Sequence, residues 1–422
     1  VFAAAGGFLI IPVKILEGVV AVKHESDTEI IAGVSPRRDS LRVVVTGGGT
    51  GGHISPGLAV VRALGERSAA MSAPAPQVLW VGEREGMEQR SAQAAGIEFR
   101  SVAVGKIRRS ANPIKMLSPA NIADMARVPV GMAQARAVIK QFRPHVVLAT
   151  GGYVAVPVGM AASSCSVPLV VHEQTTRLGL TNRVLASRAT RVAVSTQSTL
   201  DFLPQQARER AVVTGNPVRP ELLTGQAARA WTLPATCGFD RRLPTLYVTG
   251  GSQGARQINT LVRQILPWLL ERANVVHQCG QANQDEAVRN AATLPPVLAG
   301  RYWPTGYLGP ELPDVFALAD VVLSRSGAGT IAELTALGKA SVLVPLASSA
   351  GGEQASNADY LHRSGAAIAL RDEVDGHGLA QAVGALLGDA DARGRMARAA
   401  GALGRRDAAA SLVQVLLAAA SQ

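Results

Sequence analysis

From residue 42 onward, short runs of β-branched apolar residues alternate with longer stretches whose apolar positions recur at helical spacing. "RVVVTGGG" predicts a buried strand ending in a loop, "GLAVVRALGERS" a helix, and "QVLWVG" the next strand. "PHVVLATGG", "VPLVVHE", "TRVAVS" and "RAVVTGNPV" continue the series, with helical segments such as "MAQARAVIKQF" between them. Strands that are apolar throughout, separated by helices, predict a parallel sheet covered on both faces. The pattern then restarts. "TLYVTGGSQGARQINTLVRQILPWLLERA" reads strand, glycine loop, helix, and "NVVHQCG", "DVVLSRSG", "ASVLVP" and "AAIAL" read as further strands. The expected fold class is α/β, with two doubly wound halves that each open on a glycine loop and together form a cleft at the carboxyl ends of their sheets.

Between the halves, "VTGNPVRPELL" has the turn chemistry and two prolines of a linker. The expected units are a first domain over 41–218, a second over 219–400, and an apolar terminal helix over 401–422 that needs a surface to cover. Residues 1–40 read as an atypical extension. Its segment 2–22 is about long enough to span a bilayer, but Pro12, Lys14 and Glu17 interrupt it, and it lacks the order of parts of a secretory signal. "HESDTEIIAGVSPRRDS" reads as its linker into the first domain.

Composition narrows the classes. The chain has 422 residues, 47% of them hydrophobic, which is enough for two cores. Aromatics make up only 4%, which argues against base-stacking platforms and a nucleic-acid partner. The formal net charge of +11 points to an anionic partner, or simply to a basic solvated surface. Only six of the basic residues are lysine. Cys165, Cys237 and Cys279 are far apart and without CxxC spacing, so neither a zinc site nor a disulfide framework is indicated and a reducing cytoplasm fits.

Five glycines fall between Gly47 and Gly52, with Thr46, Thr50 and His53 around them. A nucleotide P-loop is excluded, because His53 stands where its lysine belongs and Ile54 where its hydroxyl belongs. Gly47, Gly49 and Gly52 satisfy a GxGxxG pattern, but the first acidic residue placed to hold a ribose is Glu83, 31 residues beyond Gly52. The third reading is a cradle of backbone N–H groups for a diphosphate or sugar. A bare strand-to-helix turn needs far fewer glycines.

Six stretches in order resemble the MurG family of N-acetylglucosaminyltransferases: "GGGTGGHISPGLAV", "GGYVAVP", "HEQTTRLGLTNR", "GNPVR", "GGSQGARQIN" and "SRSGAGTIAEL". The resemblance covers roughly residues 42 to 400. It implies a GT-B fold, UDP-N-acetylglucosamine as donor, and the lipid-linked muramoyl pentapeptide lipid I as acceptor. Transfer to the muramic acid C4 hydroxyl, with inversion, would give lipid II for peptidoglycan synthesis. The implied place is the cytoplasmic face of the plasma membrane, peripherally bound, with other cell-wall synthesis and division proteins as partners. No obligatory metal or other cofactor is implied.

The resemblance also implies roles for individual residues. Gly48, Gly49, Thr50, Gly151, Gly152 and Tyr153 would serve the acceptor diphosphate, and Thr50, Gly51 and Gly52 would also touch the donor. Ser252, Gln253 and Arg219 would face the donor diphosphate, Glu333 the ribose hydroxyls, the Leu308 backbone the uracil, and Gln354 the sugar hydroxyls. Arg219 reads equally well as an interdomain salt bridge, and Glu333 as a first-turn helix charge. Asn357 is expected to cap or support its helix. Two positions depart from the family pattern: Thr175 stands where an asparagine is frequent, leaving one donor contact there, and Glu353 where some members carry glutamine. His53 is a candidate general base or a positioning donor, and Glu173 is the competing base. His172 reads as buried strand-end support. Lys106, Ile107, Arg108, Arg109 and Lys115 form a basic and apolar stretch suited to an anionic membrane.

Three alternatives stay open on sequence: a GT-B enzyme with another acceptor, a UDP-N-acetylglucosamine epimerase, and a non-catalytic binding module.

Overall fold

A computed structural model describes residues 40–105, 119–251, 254–371 and 374–422. The extension expected at 1–40, apart from residue 40, lies outside the described residues.

The first sheet has seven described strands in the order β3-β2-β1-β4-β5-β6-β7: β1 (Arg42–Gly47), β2 (Gln77–Gly82), β3 (Glu98–Ser101), β4 (Val146–Gly151), β5 (Leu169–Glu173), β6 (Arg191–Val194) and β7 (Ala211–Val213). All its pairings are parallel. The second has six in the order β10-β9-β8-β11-β12-β13: β8 (Thr245–Thr249), β9 (Asn274–Gln278), β10 (Tyr302–Thr305), β11 (Val321–Ser324), β12 (Ala340–Leu343) and β13 (Ile368–Ala369). These too are parallel throughout. The central strands are buried end to end, Val146–Gly151 and Thr245–Thr249 among them, as continuous apolar runs require when helices cover both faces.

Two strands were not foreseen from the hydrophobic pattern. β3, with sequence EFRS, and β10, with YWPT, lie at sheet edges, where one side needs no partner and polar or proline residues are tolerated.

The helix Gly51–Ala70 packs on the first sheet through its smallest residue. A side chain at Gly57 would meet the Trp80 ring at 2.7 Å, so Trp80, itself fully buried, lies directly against the helix backbone. The apolar tail finds its cover on this domain as well. In the helix Ala408–Ala420, Leu412, Val413 and Leu416 join one core with Val43, Val45, Val60, Trp80, Leu148 and Val170. The chain therefore leaves the first domain after β7, builds the second, and returns to finish the first.

In each sheet the strand order reverses beside the first strand of the domain. β1 sits between β2 and β4, and β8 between β9 and β11. The loops at such a switch point diverge and leave a crevice at the carboxyl end of the sheet. The crevices belong to the loops after Gly47 and Gly151 in one sheet, and after Thr249 and Ser324 in the other.

Candidate functional site

Gly47 pairs with Gly151 across a register shift between β1 and β4, which brings the two glycine stretches of the first domain side by side. Gly152 has a φ of +78°, and a Cβ on it would stand 2.2 Å from the carbonyl oxygen of Gly48. Only glycine fits there.

The opening loop turns part of its backbone inward. The N–H of Gly48 donates to the Gly151 carbonyl at 3.3 Å, and that of Gly49 to the Glu88 carboxylate at 3.2 Å. Glu88 is fully buried and also accepts from the Glu83 N–H at 3.0 Å. It props the loop from below, and a Cβ at Gly48 would lie 2.4 Å from its carboxyl carbon. Sequence reasoning missed Glu88; the only signal was its place among Gly82, Gly86 and the opening loop. Tyr153 has its ring edge against Gly49 and donates its hydroxyl to Glu83 at 2.5 Å. The N–H groups of Thr50, Gly51 and Gly52 have no partner among the described residues. They start the helix Gly51–Ala70, where orphan donors and the helix dipole favour an anion.

His53 is half-buried in the first turn of that helix. Its carbonyl accepts the Thr150 hydroxyl at 2.6 Å, and its ring Nδ1 lies 3.1 Å from Gln174 Oε1. A Cβ at Gly151, whose φ is +108°, would meet that nitrogen at 2.9 Å.

The end of β5 supplies the other groups. Glu173 is buried, and both its oxygens are engaged. Oε1 accepts from the Thr175 N–H at 3.0 Å and hydroxyl at 2.8 Å, and Oε2 from the Gly179 N–H at 2.8 Å and Asn182 Nδ2 at 3.0 Å. Thr175 is buried and turned towards Glu173 and the Arg177 carbonyl. His172 is the buried strand-end support. It bonds the Gly215 carbonyl at 3.1 Å, and burial pushes its imidazole down to about 4.

In the second domain, the helix Ala328–Leu337 carries Glu333 in its second turn, so a first-turn role at the helix dipole does not apply. Arg219 bonds Glu333 Oε1 through Nε at 3.2 Å and Nη2 at 2.9 Å. Burial raises the Glu333 carboxyl above the usual range, and Arg219 opposes that shift. Leu308 buries its side chain, and its backbone N–H and C=O have no partner among the described residues. Gln354 uses Oε1 to accept the Leu346 N–H at 3.0 Å, which leaves its amide NH2 unpartnered among the described residues. Glu353 opens the helix Glu353–Arg363. Its carboxyl is raised chiefly by burial and further by Glu173, while His53 lowers it.

The two halves meet at Asn357, which does more than support its own helix. Its Oδ1 accepts the Thr176 N–H at 3.3 Å and hydroxyl at 3.1 Å from the first domain, and its Nδ2 donates to the Ser326 carbonyl at 3.0 Å in the second. Asn216 adds a bond from the linker to the Ala328 carbonyl at 3.2 Å. Glu353 lies one helical turn before Asn357, on the same face of the helix. His53 and Glu173 of the first domain thereby come within electrostatic reach of Glu353 of the second.

Ser252, Gln253, Lys106, Ile107, Arg108, Arg109 and Lys115 lie outside the described residues. One cavity, of about 280 Å3, is lined by second-domain residues, including Arg256, Arg263, His277 and Tyr302, and stands apart from this junction. Among the described residues, no three His, Cys, Asp or Glu side chains cluster to hold a metal, and no helix is long and apolar enough to cross a membrane.

Two parallel-sheet domains with paired loops at their switch points define the GT-B fold. Family models agree: residues 43–194 match the glycosyltransferase family 28 N-terminal domain, and residues 245–412 its C-terminal domain. A UDP-N-acetylglucosamine–N-acetylmuramyl-(pentapeptide) pyrophosphoryl-undecaprenol N-acetylglucosamine transferase of Lachnoclostridium phytofermentans is 36% identical over 334 residues, covering 79% of this chain and 86% of that one. The protein of the same name from Treponema pallidum is 37% identical over 377 residues, covering 89% and 94%. The crystal structure of Acinetobacter baumannii MurG superposes with a TM-score of 0.68 at 25% identity, over 89% of this chain and 99% of that one. A UDP-GlcNAc 2-epimerase from Neisseria meningitidis shares the fold, with a TM-score of 0.60 at 14% identity over 89% and 99%. The chain belongs to the MurG family of N-acetylglucosaminyltransferases.

Proposed function

We propose that this enzyme moves N-acetylglucosamine from UDP-N-acetylglucosamine to the C4 hydroxyl of the muramic acid of lipid I, giving lipid II. The observation that carries the reading is the junction itself. The first domain supplies an imidazole and three open helix-start N–H groups, the second an unpartnered amide, a largely buried carboxylate and an open backbone pair, and Asn357 ties the two domains together.

His53 serves as the general base. Its Nε2 takes the proton as O4 attacks the anomeric carbon, the bond from that carbon to the diphosphate breaks, and UDP leaves with the electron pair. Glu173 is a poorer base, because four donors already occupy its two oxygens; it shapes the turn that carries Thr175 and Gly179. Thr175 acts through that same turn. The open N–H groups of Thr50, Gly51 and Gly52 meet diphosphate oxygens, while Gly48, Gly49, Gly151, Gly152 and Tyr153 hold the loop in shape for the acceptor.

On the donor side, Glu333 accepts from the ribose hydroxyls, the Leu308 backbone reads uracil, Gln354 donates to the sugar, and the loop with Ser252 and Gln253 receives the donor diphosphate. Arg219 orients Glu333. Backbone donors meet the leaving charge. The basic and apolar stretch with Lys106, Ile107, Arg108, Arg109 and Lys115 holds the enzyme peripherally on the anionic cytoplasmic leaflet, near other cell-wall synthesis and division proteins.

Incubation with labelled UDP-N-acetylglucosamine and a lipid I analogue tests the reading. A labelled disaccharide lipid supports it. Label found only in an epimerised nucleotide sugar overturns it.

A further inference from the structure

We propose that Gln174 is a positioning residue that locks His53 in its Nδ1–H tautomer and so presents a bare Nε2 to the acceptor. The inference rests on the reading of His53 as the base, but the tautomer is observable without substrate.

The Gln174 amide has no freedom to flip. Gln174 is 4% exposed. Its Nε2 lies 2.7 Å from the Thr150 carbonyl oxygen, 2.9 Å from the His172 carbonyl oxygen and 3.0 Å from His172 Nδ1. Carbonyl oxygens only accept, so the group facing them is the NH2. A flipped amide would set its oxygen against two carbonyl oxygens in a buried site, which the low local dielectric makes costly.

The remaining atom, Oε1, faces His53 Nδ1 at 3.1 Å and can only accept. The proton of a neutral His53 therefore sits on Nδ1, and Nε2 keeps its lone pair.

His172 sets the polarity of the whole chain. Its Nε2 faces the Gly215 carbonyl and must donate, so its Nδ1 is bare and shares the two protons of the Gln174 NH2 with the Thr150 and His172 carbonyls. Burial keeps this imidazole neutral down to about pH 4. A second proton on His172 would oppose the Gln174 NH2 and break the order. The chain thus runs from Gly215, at the start of the linker, through His172 and Gln174 to His53. The titratable groups facing it are His172 beneath, Glu173 beside it on β5, and Glu353 from the second domain. When His53 takes a proton on Nε2, Oε1 of Gln174 still accepts from Nδ1, so the amide holds the imidazolium without reorienting.

The test is 15N NMR of the histidine-labelled full chain without substrate, with His53 assigned by its loss in His53→Asn. The expected spectrum has a pyrrole-like Nδ1 and a pyridine-like Nε2, changing to a mixture or to Nε2–H in Gln174→Met. In the same variant kcat should fall about 10-fold or more with donor KM unchanged. A wild-type spectrum with Nε2–H on His53 overturns the proposal without recourse to Gln174→Met. An unchanged tautomer in a folded Gln174→Met also overturns it. If the tautomer is as expected but His53→Asn keeps its kcat, the base reading fails while the Gln174 lock stands.

Discussion

Arg219 spends two nitrogens on one oxygen of Glu333 and leaves the other oxygen free of any described partner. The carboxylate is thus held in one orientation, with an open edge for a vicinal diol. Charge-assisted hydrogen bonds of this type are worth about 1.5–3 kcal/mol, or roughly 10–150-fold in affinity. Glu333→Gln should weaken UDP-sugar binding within that range in calorimetry, with acceptor KM unchanged. The raised carboxyl fixes the pH dependence. Ionised Glu333 accepts both ribose hydroxyls, so donor affinity should fall as pH drops, and the fall should begin at higher pH than an ordinary glutamate would give. A pH-independent donor affinity would remove Glu333 from the ribose.

For His53, removing the imidazole tests base against positioner. His53→Ala should lower kcat by about 10²–10⁴-fold at saturating donor and acceptor, with the donor KM near wild type. A kcat that stays near wild type while KM rises would make His53 a positioning donor.

Much of this arrangement was legible before the fold was known. The apolar runs at Val43–Val45, Val146–Ala149 and Leu246–Val248 announce buried parallel strands, because no solvated strand tolerates such continuity. The glycine loops were equally plain. What stayed hidden depends on distant partners. Glu88 looks like any charge in a short helix until the loop folds over it. Asn357 reads as a helix-supporting residue because nothing local reveals Thr176, 181 residues away in sequence. β3 and β10 escape notice because edge strands need only one apolar side. The assignment of donor and acceptor to particular domains came from resemblance, since either glycine loop alone could take a phosphate.

Glu353 bears on stability more directly than on chemistry. It is half-buried, it has no hydrogen-bond partner among the described residues, and its carboxyl is raised by burial and by Glu173. Raised in the folded state, it binds its proton more tightly there than in the unfolded chain. Its contribution therefore becomes destabilising as pH rises above the unfolded value of 4.5 towards the folded one, then levels off. Glu353→Gln removes that dependence. Its Tm should match or trail wild type in acid and exceed it at neutral pH, with the gap opening through the carboxylate range. A constant gap across pH would mean that Glu353 is solvated in solution.

The returning helix Ala408–Ala420 should matter to the first domain although it follows the second in sequence. Leu416 is fully buried in the core that holds Val45, Trp80 and Leu148, whereas Gln414 on the same helix is exposed. Truncating a buried leucine forfeits its transfer energy and leaves a cavity, at about 2–5 kcal/mol. An exposed substitution stays within about 0.5 kcal/mol. Leu416→Ala should lower the urea midpoint accordingly, and Gln414→Ala should not. The loss should appear where the first domain unfolds, and proteolysis should then open the strands Arg42–Gly47 and Val146–Gly151 before the second sheet. If Leu416→Ala instead loosened only the second domain, the tail would be packing there in solution, and the first sheet would need another cover for Val43, Val45 and Leu148.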